Sequence, residues 1–531
     1  MGIPLYFSQL KHLYPSIHKK PIAIHNLYLD ANSIVHPISH QEVEQYLTTH
    51  DVTANPSSHT HKVESAIIES TLRYIQKIID KVHPSELVYV ALDGVAPRAK
   101  MEQQRKRRYK TVSEQKTKQT IYEKYNHPLQ YQSLIWDSNC ITPGTNFMNR
   151  LSSRLHEYAN SFHPHTIVSD SNEMGEGEHK IFQYIKQNPY PHESVHAIYG
   201  LDADLFMLSL SCFPQTDCLY LIRDSMNDQH DEWIYVSIYE LASKIVQEVG
   251  VEFSSKYIED YIISCFFIGN DFLPCQESIF LQDHGLHRLM DSLRITYQKF
   301  PGQHFLTGKH NWNIPFLKAF FGELEKDEDV CVLRKYKKIV HFHKRPVFDE
   351  CRQELENINK ITDRKKEYQI IRQEKAWKEI LYCSEMRFRN NADLDECCTC
   401  FLQGLQWMVQ YYFHECISWT WFYKYPYAPS FADLYCHVEE VGPEQWNVAV
   451  DKTVFTPYQQ LLIVLPVASH HLLPSTIRTS IRNSCLQIYY SPTTTTTTYA
   501  YSVGRRFQWE VSPKLPPLSK EQMDFVRECV M

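Results

Sequence analysis

Short apolar runs that end at, or just before, an aspartate recur along the first part of the chain. The runs are 26–30, 87–92, 166–168 and 196–199, and their aspartates are Asp30, Asp93, Asp170 and Asp202. Such runs are typical of buried strands. In an open α/β sheet the carboxyl ends of parallel strands meet at one edge, where these folds bind their ligands. The pattern therefore predicts that the acids gather along one edge of a sheet.

Apolar residues recur at helical spacing between the first two of these strands. Residues 64–82 place apolar side chains along one helical face, at Ile68, Leu72, Ile75, Ile79 and Val82. His83 and Pro84 then end the helix. Strands that alternate with helices predict an α/β protein with a mainly parallel, doubly wound sheet.

Two carboxylate pairs lie close together within 175–204, flanked by glycines. Glu176 and Glu178 form the first pair, and Asp202 and Asp204 form the second. Acids packed this closely resist ionising together, and a divalent cation removes the conflict. One such pair alone is typical of a solvated turn, but two pairs in apolar surroundings favour a metal site. Oxygen ligands without Cys or His suit Mg²⁺ or Mn²⁺ better than Zn²⁺.

A further acid follows a strongly hydrophobic stretch. Residues 257–274 predict a buried helix that ends in Gly269-Asn270-Asp271. A carboxylate in that position is costly unless it is paired or bound to a metal. Asp271 therefore joins the candidate metal ligands.

A basic segment begins soon after Asp93. Residues 98–110 hold seven cations and one acid. On a helix, one face would carry Lys100, Gln104, Arg107 and Arg108. An isolated run of this kind is typical of a solvated helix. Beside a carboxylate cluster, however, it is what a phosphate-bearing substrate needs, with metal at one phosphate and Lys and Arg at another.

The sequence of the second half of the chain is less specific about function. Residues 323–390 are dominated by charged residues and predict long, solvated helices that join two parts of the molecule. Cys397-Cys398-Thr399-Cys400 lacks a second cysteine pair at zinc spacing, which favours a buried, thiol-lined helix face over a metal site. Residues 404–429 are dense in aromatics that predict core, although Trp419 and Trp421 are alternatives for a base-stacking surface. The Thr493–Thr498 run predicts a surface loop.

Composition places the chain among globular proteins. It has 531 residues, 43% hydrophobic and 22% charged, with a net charge of −7 that does not itself indicate nucleic-acid binding. The 15 cysteines show no framework spacing, which favours reduced thiols inside the cell. The segment Met1–Tyr6 has no signal-peptide pattern, and no apolar run reaches the length of a membrane span. We therefore expect an intracellular protein, nuclear or cytoplasmic, that does not enter a membrane.

Several segments, taken in order, resemble one known family. They are Met-Gly-Ile-Pro (1–4), Leu-Tyr-Leu-Asp-Ala-Asn-Ser-Ile-Val-His-Pro (27–37), Ala-Leu-Asp-Gly-Val-Ala-Pro-Arg-Ala-Lys-Met (91–101), Gly-Glu-Gly-Glu-His-Lys-Ile (175–181), Tyr-Gly-Leu-Asp-Ala-Asp-Leu (199–205), Gly-Asn-Asp-Phe-Leu-Pro (269–274), Gly-Leu-Gln-Trp (404–407) and Tyr-Ala-Pro (427–429). This series resembles the XRN family of 5′→3′ exoribonucleases. Residues 460–469 and 508–510 fit the same family, so the resemblance runs from Met1 to about Leu518.

The resemblance implies a PIN/FEN-like α/β nuclease core and a largely helical second region packed onto it. The corresponding divisions are an N-terminal nuclease region at 1–322, a charged helical linker at 323–390 and a second conserved region at 391–531. Ser33 stands where the family commonly has Gly, and Met174 replaces a Pro, but neither change removes a ligand. The chain is shorter than the large cytoplasmic members, which leaves partners and localisation open.

The resemblance also assigns residues to roles. The family's metal-binding, catalytic acids fall on Asp30, Asp93, Glu176, Glu178, Asp202, Asp204 and Asp271, which would hold two Mg²⁺ or Mn²⁺ ions. Its 5′-monophosphate pocket falls on Lys100, Gln104, Arg107 and Arg108. The first base would stack between His36 and either Trp419 or Trp421. The implied substrate is single-stranded RNA with a 5′-monophosphate, which is degraded to 5′-mononucleotides in RNA decay or processing.

Three other interpretations remain to be weighed. A flap-type DNA endonuclease would share the acid cluster, but the monophosphate pocket argues against it. An inactivated RNA-binding scaffold would be expected to have lost acids, and this chain keeps all seven positions. A structural ion site would not explain the basic helix face beside the acids.

Overall fold

The computed structural model describes most of the chain. The described residues are 6–52, 55–163, 165–213, 216, 218–224, 233–308, 311–342, 349–373, 377–482, 484–486 and 500–528. The Met-Gly-Ile-Pro segment at 1–4 and the predicted loop Thr493–Thr498 lie outside the described residues.

Helices make up most of the described structure. The α-helices are α1 Tyr6–Leu13, α2 Ala31–Thr49, α3 Thr60–Val82, α4 Arg98–Lys124, α5 Gln132–Ile135, α6 Asn146–Phe162, α7 Gly177–Gln187, α8 Asp204–Ser211, α9 Ile238–Val249, α10 Ser255–Cys265, α11 Gly285–Lys299, α12 Ile314–Glu325, α13 Glu328–Val340, α14 Glu350–Ile358, α15 Lys365–Arg372, α16 Trp377–Glu379, α17 Asn391–Phe413, α18 Phe431–Glu440, α19 Pro457–Val464, α20 Ser475–Arg482 and α21 Lys520–Glu528. A π-helical turn spans Ile380–Glu385. Short 3-10 helices span Pro15–Ile17, Pro56–His59, Pro128–Tyr131, Ser138–Cys140, Phe266–Ile268, Leu281–Asp283, Pro443–Trp446, Val467–Leu472 and Gln508–Glu510.

The central sheet has six strands. They are β1 Asn26–Asp30, β2 Leu87–Ala91, β3 Thr166–Ser169, β4 His196–Tyr199, β5 Leu219–Asp224 and β6 Trp233–Ser237. Their order is β3-β2-β1-β4-β5-β6, with parallel pairing except between β5 and β6. Two-stranded pairs are formed by β7 Leu306–Thr307 with β8 Asn311–Trp312 and by β9 Ala500–Tyr501 with β10 Ser512–Pro513. The predicted doubly wound α/β fold is confirmed, and strand order reverses between β1 and β4.

Both faces of the sheet are buried, as the near-continuous apolar strands predict. Leu27 and Leu29 of β1 face one core with Val88, and this core is covered by α2, α3 and α6. Tyr28 faces the opposite core with Tyr89, where α7, α8, α10 and α17 pack. Helices from the second half of the chain therefore share a core with the N-terminal sheet, and residues far apart in sequence meet above the strand ends.

The segment 323–390 differs from its prediction. It is helical, but its helices α13 to α16 are short, and part of their surface is buried instead of facing solvent. Val332, Tyr336, Ile370 and Trp377 form a buried cluster that also includes Tyr427. The apolar side chains that recur at helical spacing in this charged segment thus pack against the second region. The division at 322 and 390 stays a prediction.

The hydrophobic stretch 257–274 folds as a shorter helix than predicted. Helix α10 ends at Cys265, and a 3-10 turn leads to Gly269. Gly269 has φ +88°, and a Cβ there would lie 2.5 Å from the backbone nitrogen of Cys275. Only glycine fits this turn without displacing backbone. The turn carries Asp271 back toward the sheet.

Two smaller predictions also concern the fold. Cys397, Cys398 and Cys400 lie buried on α17, so the expected thiol-lined helix face is present. No helix among the described residues is long and apolar enough to cross a membrane.

Candidate metal site and phosphate pocket

Three of the predicted acids lie at the carboxyl ends of adjacent parallel strands. Asp30 ends β1, Asp93 follows β2, and Asp202 follows β4. Strands β1 and β4 flank the point where strand order reverses, which is where open α/β sheets bind ligands. Asn32 donates from Nδ2 to Asp93 Oδ2 at 2.8 Å and fixes that carboxylate.

The pair Glu176 and Glu178 is brought to these strands by the start of α7. The backbone N–H of Gly177 donates to Asp93 Oδ1 at 2.7 Å. A Cβ at Gly177 would lie 3.4 Å from Asp93 Oδ1 and 3.5 Å from Asp30 Oδ1. The glycine therefore lets the helix approach the strand ends closely. Glu178 in the first turn also meets the favourable end of the helix dipole.

The remaining acids and a tyrosine complete the cluster. Asp204 is buried in the first turn of α8, and its Oδ1 has no hydrogen-bond partner within the described part of the chain. Tyr411 of α17 donates its hydroxyl to Glu176 Oε1 at 2.8 Å. Gln103 of α4 donates to Asp271 Oδ1 at 3.3 Å. All seven predicted acids thus lie in one region, supported by side chains from both halves of the chain.

Lys100 lies among the acids. Its ammonium contacts Glu176 Oε2 and lies 2.8 Å from Asp271 Oδ2. Although burial opposes its charge, Asp271 and Glu176 raise the pKa of Lys100 well above its usual value. The structure therefore places this predicted phosphate ligand in the acid cluster, with its positive charge balancing part of the negative charge.

The acids resist ionisation. Burial raises the pKa of Asp30 to about 8, and neighbouring aspartates contribute. Burial likewise raises the pKa of Asp204 to about 7, with Asp271 adding to the shift. For Glu178, burial and nearby carboxylates raise the pKa well above its ordinary value, although Lys100 opposes them. A buried site that disfavours its own negative charges gains from a bound cation.

The donor set fits a hard divalent cation. It consists of carboxylate oxygens, and the buried Asp204 Oδ1 offers an unused acceptor. As placed, no group of three or more His, Cys, Asp or Glu side chains among the described residues has metal-binding geometry. The ammonium of Lys100 lies between Glu176 and Asp271 instead. A cation bound there would compete with Lys100.

This competition can be measured directly. Replacing Lys100 by methionine should tighten Mn²⁺ binding in the absence of RNA by about tenfold, because the site loses a buried positive charge. Isothermal titration at pH 8 of the wild type, Lys100→Met and the exposed control Lys116→Met would measure the dissociation constants. Equal or weaker Mn²⁺ binding by Lys100→Met would contradict the competition.

The pH dependence of stability provides a second measurement. In the metal-free protein, folded Asp30 has a pKa of about 8 against 3.8 for an ordinary aspartate. The folded state holds a proton that the unfolded state loses, so this group lowers stability as pH rises from about 4 to about 8. In EDTA, Asp30→Asn should therefore gain stability relative to the wild type between pH 6 and 8, by roughly 1.4 kcal/mol per pH unit. Urea unfolding at each pH would measure the free energy of unfolding of both proteins, with exposed Asp80→Asn as the control. A difference between Asp30→Asn and the wild type that does not change with pH would contradict the prediction.

A basic pocket borders the acid cluster. Burial, with contributions from the charges of Arg107 and Arg108, lowers the pKa of His36 to about 3, so both guanidinium groups lie near enough to act on this imidazole. Arg108 is buried, and its Nη1 has no hydrogen-bond partner among the described residues. Buried cationic donors without a partner are suited to an anion such as a phosphate.

Gln104 is held by the second half of the chain. Its Oε1 accepts a hydrogen bond from Gln460 Nε2 at 3.2 Å, while Gln460 Oε1 accepts from the backbone of Ala96 at 2.9 Å. Both residues are buried. The structure thus groups Arg107 and Arg108 with His36, keeps Gln104 one turn away on the same helix, and turns Lys100 toward the acids.

The two candidate stacking tryptophans occupy different surroundings. Trp421 stacks on Trp407, with ring centroids 5.6 Å apart. Trp419 is buried among Val95 and Met101, and its carbonyl accepts from the backbone of Arg98. No ring contact joins His36 to either tryptophan within the described ranges. The choice between them stays open.

Sequence reasoning missed the side chains that hold the site together. Asn32, Gln103, Lys180 and Tyr411 were not predicted. Lys180 donates to the carbonyls of Leu92 and Asp170 at 2.9 Å and 2.6 Å and so ties α7 to the ends of β2 and β3. Asn32 gave a weak signal as a polar residue two positions after Asp30. Tyr411 gave none, because it lies within an aromatic run and 235 positions from its partner Glu176.

The sheet order and the buried acids above its switch point define an α/β protein with a PIN-like core. Two family models match this chain. The XRN 5′-3′ exonuclease N-terminus matches residues 1–225, and the Xrn1 helical domain matches residues 253–369 and 328–525. The chain belongs to the XRN family, as its motifs predict.

Curated relatives agree with this assignment. Human 5′-3′ exoribonuclease 1 is 26% identical over 98% of this chain, and Arabidopsis thaliana 5′-3′ exoribonuclease 2 is 25% identical over 98%. Candida albicans 5′-3′ exoribonuclease 2 is 24% identical over 98%. These alignments cover 34%, 66% and 72% of the relatives, so the chain spans about a third of the human protein and about two thirds of the Arabidopsis one.

Proposed function

We propose that this chain is a metal-dependent 5′→3′ exoribonuclease. Its substrate is single-stranded RNA with a 5′-monophosphate, and its products are 5′-mononucleotides. The observation that carries the proposal is the basic pocket of Arg107, Arg108 and His36, which borders a cluster of seven acids, four of them buried. One site is suited to a terminal phosphate and the other to the next phosphodiester. The family and the names of the relatives support the same activity.

The basic pocket selects the RNA end. Arg107 and the unpaired Nη1 of buried Arg108 bind the 5′-phosphate by charge-assisted hydrogen bonds. Gln104 and Lys100 are the further ligands that the family resemblance assigns. A 5′-hydroxyl end leaves these buried cations without an anion, so it binds more weakly. A pocket sized for one phosphate would reject a cap or triphosphate.

His36 binds the first base as a neutral ring. Because its pKa is lowered to about 3, the imidazole is uncharged at neutral pH. It can therefore stack on a base beside two guanidinium groups without adding to their repulsion. Stacking contributes about 1–3 kcal/mol per base with little sequence preference. Trp419 or Trp421 supplies the opposite face of this sandwich.

The seven acids are the residues that would hold metal at the reacting phosphate. Asp30, Asp93, Glu176, Glu178, Asp202, Asp204 and Asp271 would bind two Mg²⁺ or Mn²⁺ ions, which activate water and stabilise the leaving 3′ oxygen when bound. Tyr411 and Asn32 orient Glu176 and Asp93 by the hydrogen bonds described above. Lys100, when displaced from Glu176 and Asp271, can turn to the 5′-phosphate on the same helix face.

Digestion of one labelled RNA tests the proposal. The RNA carries a 5′-monophosphate, a 5′-hydroxyl or a 5′-triphosphate, and each is incubated with Mg²⁺ or with EDTA. We expect mononucleotides from the monophosphate RNA alone, and only with Mg²⁺. Equal cutting of all three ends, or cutting of a branched DNA, would favour an endonuclease. No cutting under any condition would favour an RNA-binding scaffold.

A further inference from the structure

A second face of α4 opens into a cavity of about 620 Å³. Gln103, Lys106 and Arg107 of α4 line one side, and Tyr425 and Trp509 line another. Asp271 of the acid cluster lies in its wall. We call this cavity the α4 chamber. It borders both proposed sites, because Arg107 belongs to the phosphate pocket and Asp271 to the acids.

The α4 chamber is lined by five cations and four acids. The cations are Lys106, Arg107, Lys110, Lys335 and Arg505, and the acids are Glu102, Glu114, Asp271 and Glu510. Lys110, Lys335 and Arg505 already have partners within the protein. Lys110 donates to the carbonyl of Val511, and Lys335 and Arg505 pair with Glu277, with Lys335 at 2.6 Å from Glu277 Oε2. Lys106 and Arg107 also line the chamber, and the side chain of neither forms a hydrogen bond or ion pair with any of the described residues. Burial lowers the pKa of Lys106, and Glu102 only partly offsets this. Two adjacent cations without a partner favour an anionic ligand.

The other walls of the α4 chamber are suited to a nucleoside. Trp509 is 46% exposed and stacks on Phe507, with ring centroids 5.8 Å apart, so one ring face is backed by protein. The Oε1 of Gln103 is buried without a hydrogen-bond partner in the described part of the chain and can accept from a ribose hydroxyl or an amino group. The volume lies within the roughly 300–1,000 Å³ of small-molecule sites.

We propose that the α4 chamber binds a 5′-nucleoside monophosphate, with its phosphate at Lys106 and Arg107 and its base against Trp509. The chamber receives the nucleotide that the acid cluster releases, and in this respect the proposal rests on the proposed exonuclease function. Arg107 then serves both the incoming RNA end and the outgoing nucleotide. Binding of the free nucleotide does not require cleavage, so it can be tested alone.

Isothermal titration with 5′-AMP in EDTA measures this site without catalysis. The wild type should bind two equivalents of AMP, one in the α4 chamber and one in the phosphate pocket. Arg108→Ala should remove the pocket site and keep the chamber site. Lys106→Met and Trp509→Leu should each weaken the chamber site at least about tenfold, and Lys106→Arg should restore most of the affinity. Exposed Lys116→Met on the same helix is the matched control.

Two further comparisons complete the test. Adenosine, which lacks the phosphate, should bind the chamber at least about tenfold more weakly than AMP. In steady-state RNA digestion, inhibition by added AMP should weaken in Trp509→Leu but not in Lys116→Met. Circular dichroism verifies that each variant is folded, and Trp509→Leu alters an exposed side chain, so the test survives a folding failure of Lys106→Met.

The outcomes separate this proposal from the proposed function. Unchanged AMP stoichiometry and affinity in both Lys106→Met and Trp509→Leu would overturn the chamber. A chain that binds AMP as expected but does not digest RNA would keep the nucleotide site and refute the nuclease. A protein that digests RNA but binds a single AMP, which is lost in Arg108→Ala, would keep the nuclease proposal. It would refute the chamber proposal, because that AMP lies in the phosphate pocket.

Discussion

Replacing Glu178 by glutamine should lower the rate of RNA hydrolysis by about a thousandfold or more while the protein stays folded. The side chain is buried within the acid cluster, and the neighbouring carboxylates and burial raise its pKa well above the ordinary value. Glutamine keeps the shape but removes the negative charge that attracts metal. A thousandfold loss corresponds to about 4 kcal/mol of transition-state stabilisation.

Three measurements check this result. Single-turnover digestion of 5′-monophosphate RNA gives the rate, Mn²⁺ titration gives the metal affinity, and thermal unfolding in EDTA gives the stability. The melting temperature of Glu178→Gln should equal or exceed that of the wild type, because a repelled charge is lost. Exposed Glu193→Gln makes the same chemical change away from the site and should leave all three values unchanged. Near-normal hydrolysis by Glu178→Gln would remove Glu178 from the metal site.

Replacing Arg107 by alanine should abolish the preference for a 5′-monophosphate over a 5′-hydroxyl end. Arg107 lies near His36 and Arg108, and its side chain forms no hydrogen bond or ion pair with a described residue, although Asp202 interacts with its charge. Hydrogen bonds to charged groups contribute about 1.5–3 kcal/mol, so kcat/KM for the monophosphate RNA should fall about tenfold to a hundredfold. The value for 5′-hydroxyl RNA should change little.

The ratio of the two kcat/KM values is the decisive quantity. A structural defect would lower both values together and keep their ratio. Arg352→Ala, which removes an exposed guanidinium elsewhere, should keep the wild-type ratio. If Arg107→Ala also keeps it, the terminal phosphate binds at another place and the pocket assignment is wrong.

The sequence by itself determined the fold class and the family. Strand length, helical spacing and acids at strand ends are local properties, so the alternation of β1, α3 and β2 could be recognised without a structure. Parallel pairing then requires the ends of β1, β2 and β4 to meet, which brings Asp30, Asp93 and Asp202 together. Carboxylate spacing indicated Glu176, Glu178 and Asp204, and the hydrophobic stretch 257–274 indicated Asp271. The resemblance then assigned all seven acids to one metal site.

Only the tertiary structure decided how these residues meet their partners. Lys100 and Arg107 share a helix face in the sequence, yet Lys100 turns to Glu176 and Asp271 while Arg107 lies near His36. Helical spacing fixes which residues are neighbours on α4 but not which long side chain reaches which charge. That choice depends on the electrostatic field of all the packed elements together.

Contacts between distant parts of the chain were also beyond the sequence. Tyr411 reaches Glu176 and Gln460 reaches Gln104 because α17 and α19 pack onto the N-terminal core. The buried cluster within 323–390 and the α4 chamber arise in the same way. Apolar burial is not directional, so a hydrophobic pattern indicates that a face is covered without indicating which element covers it. The pattern therefore determined the sheet and its acids, and packing determined the pocket, the chamber and the position of Lys100.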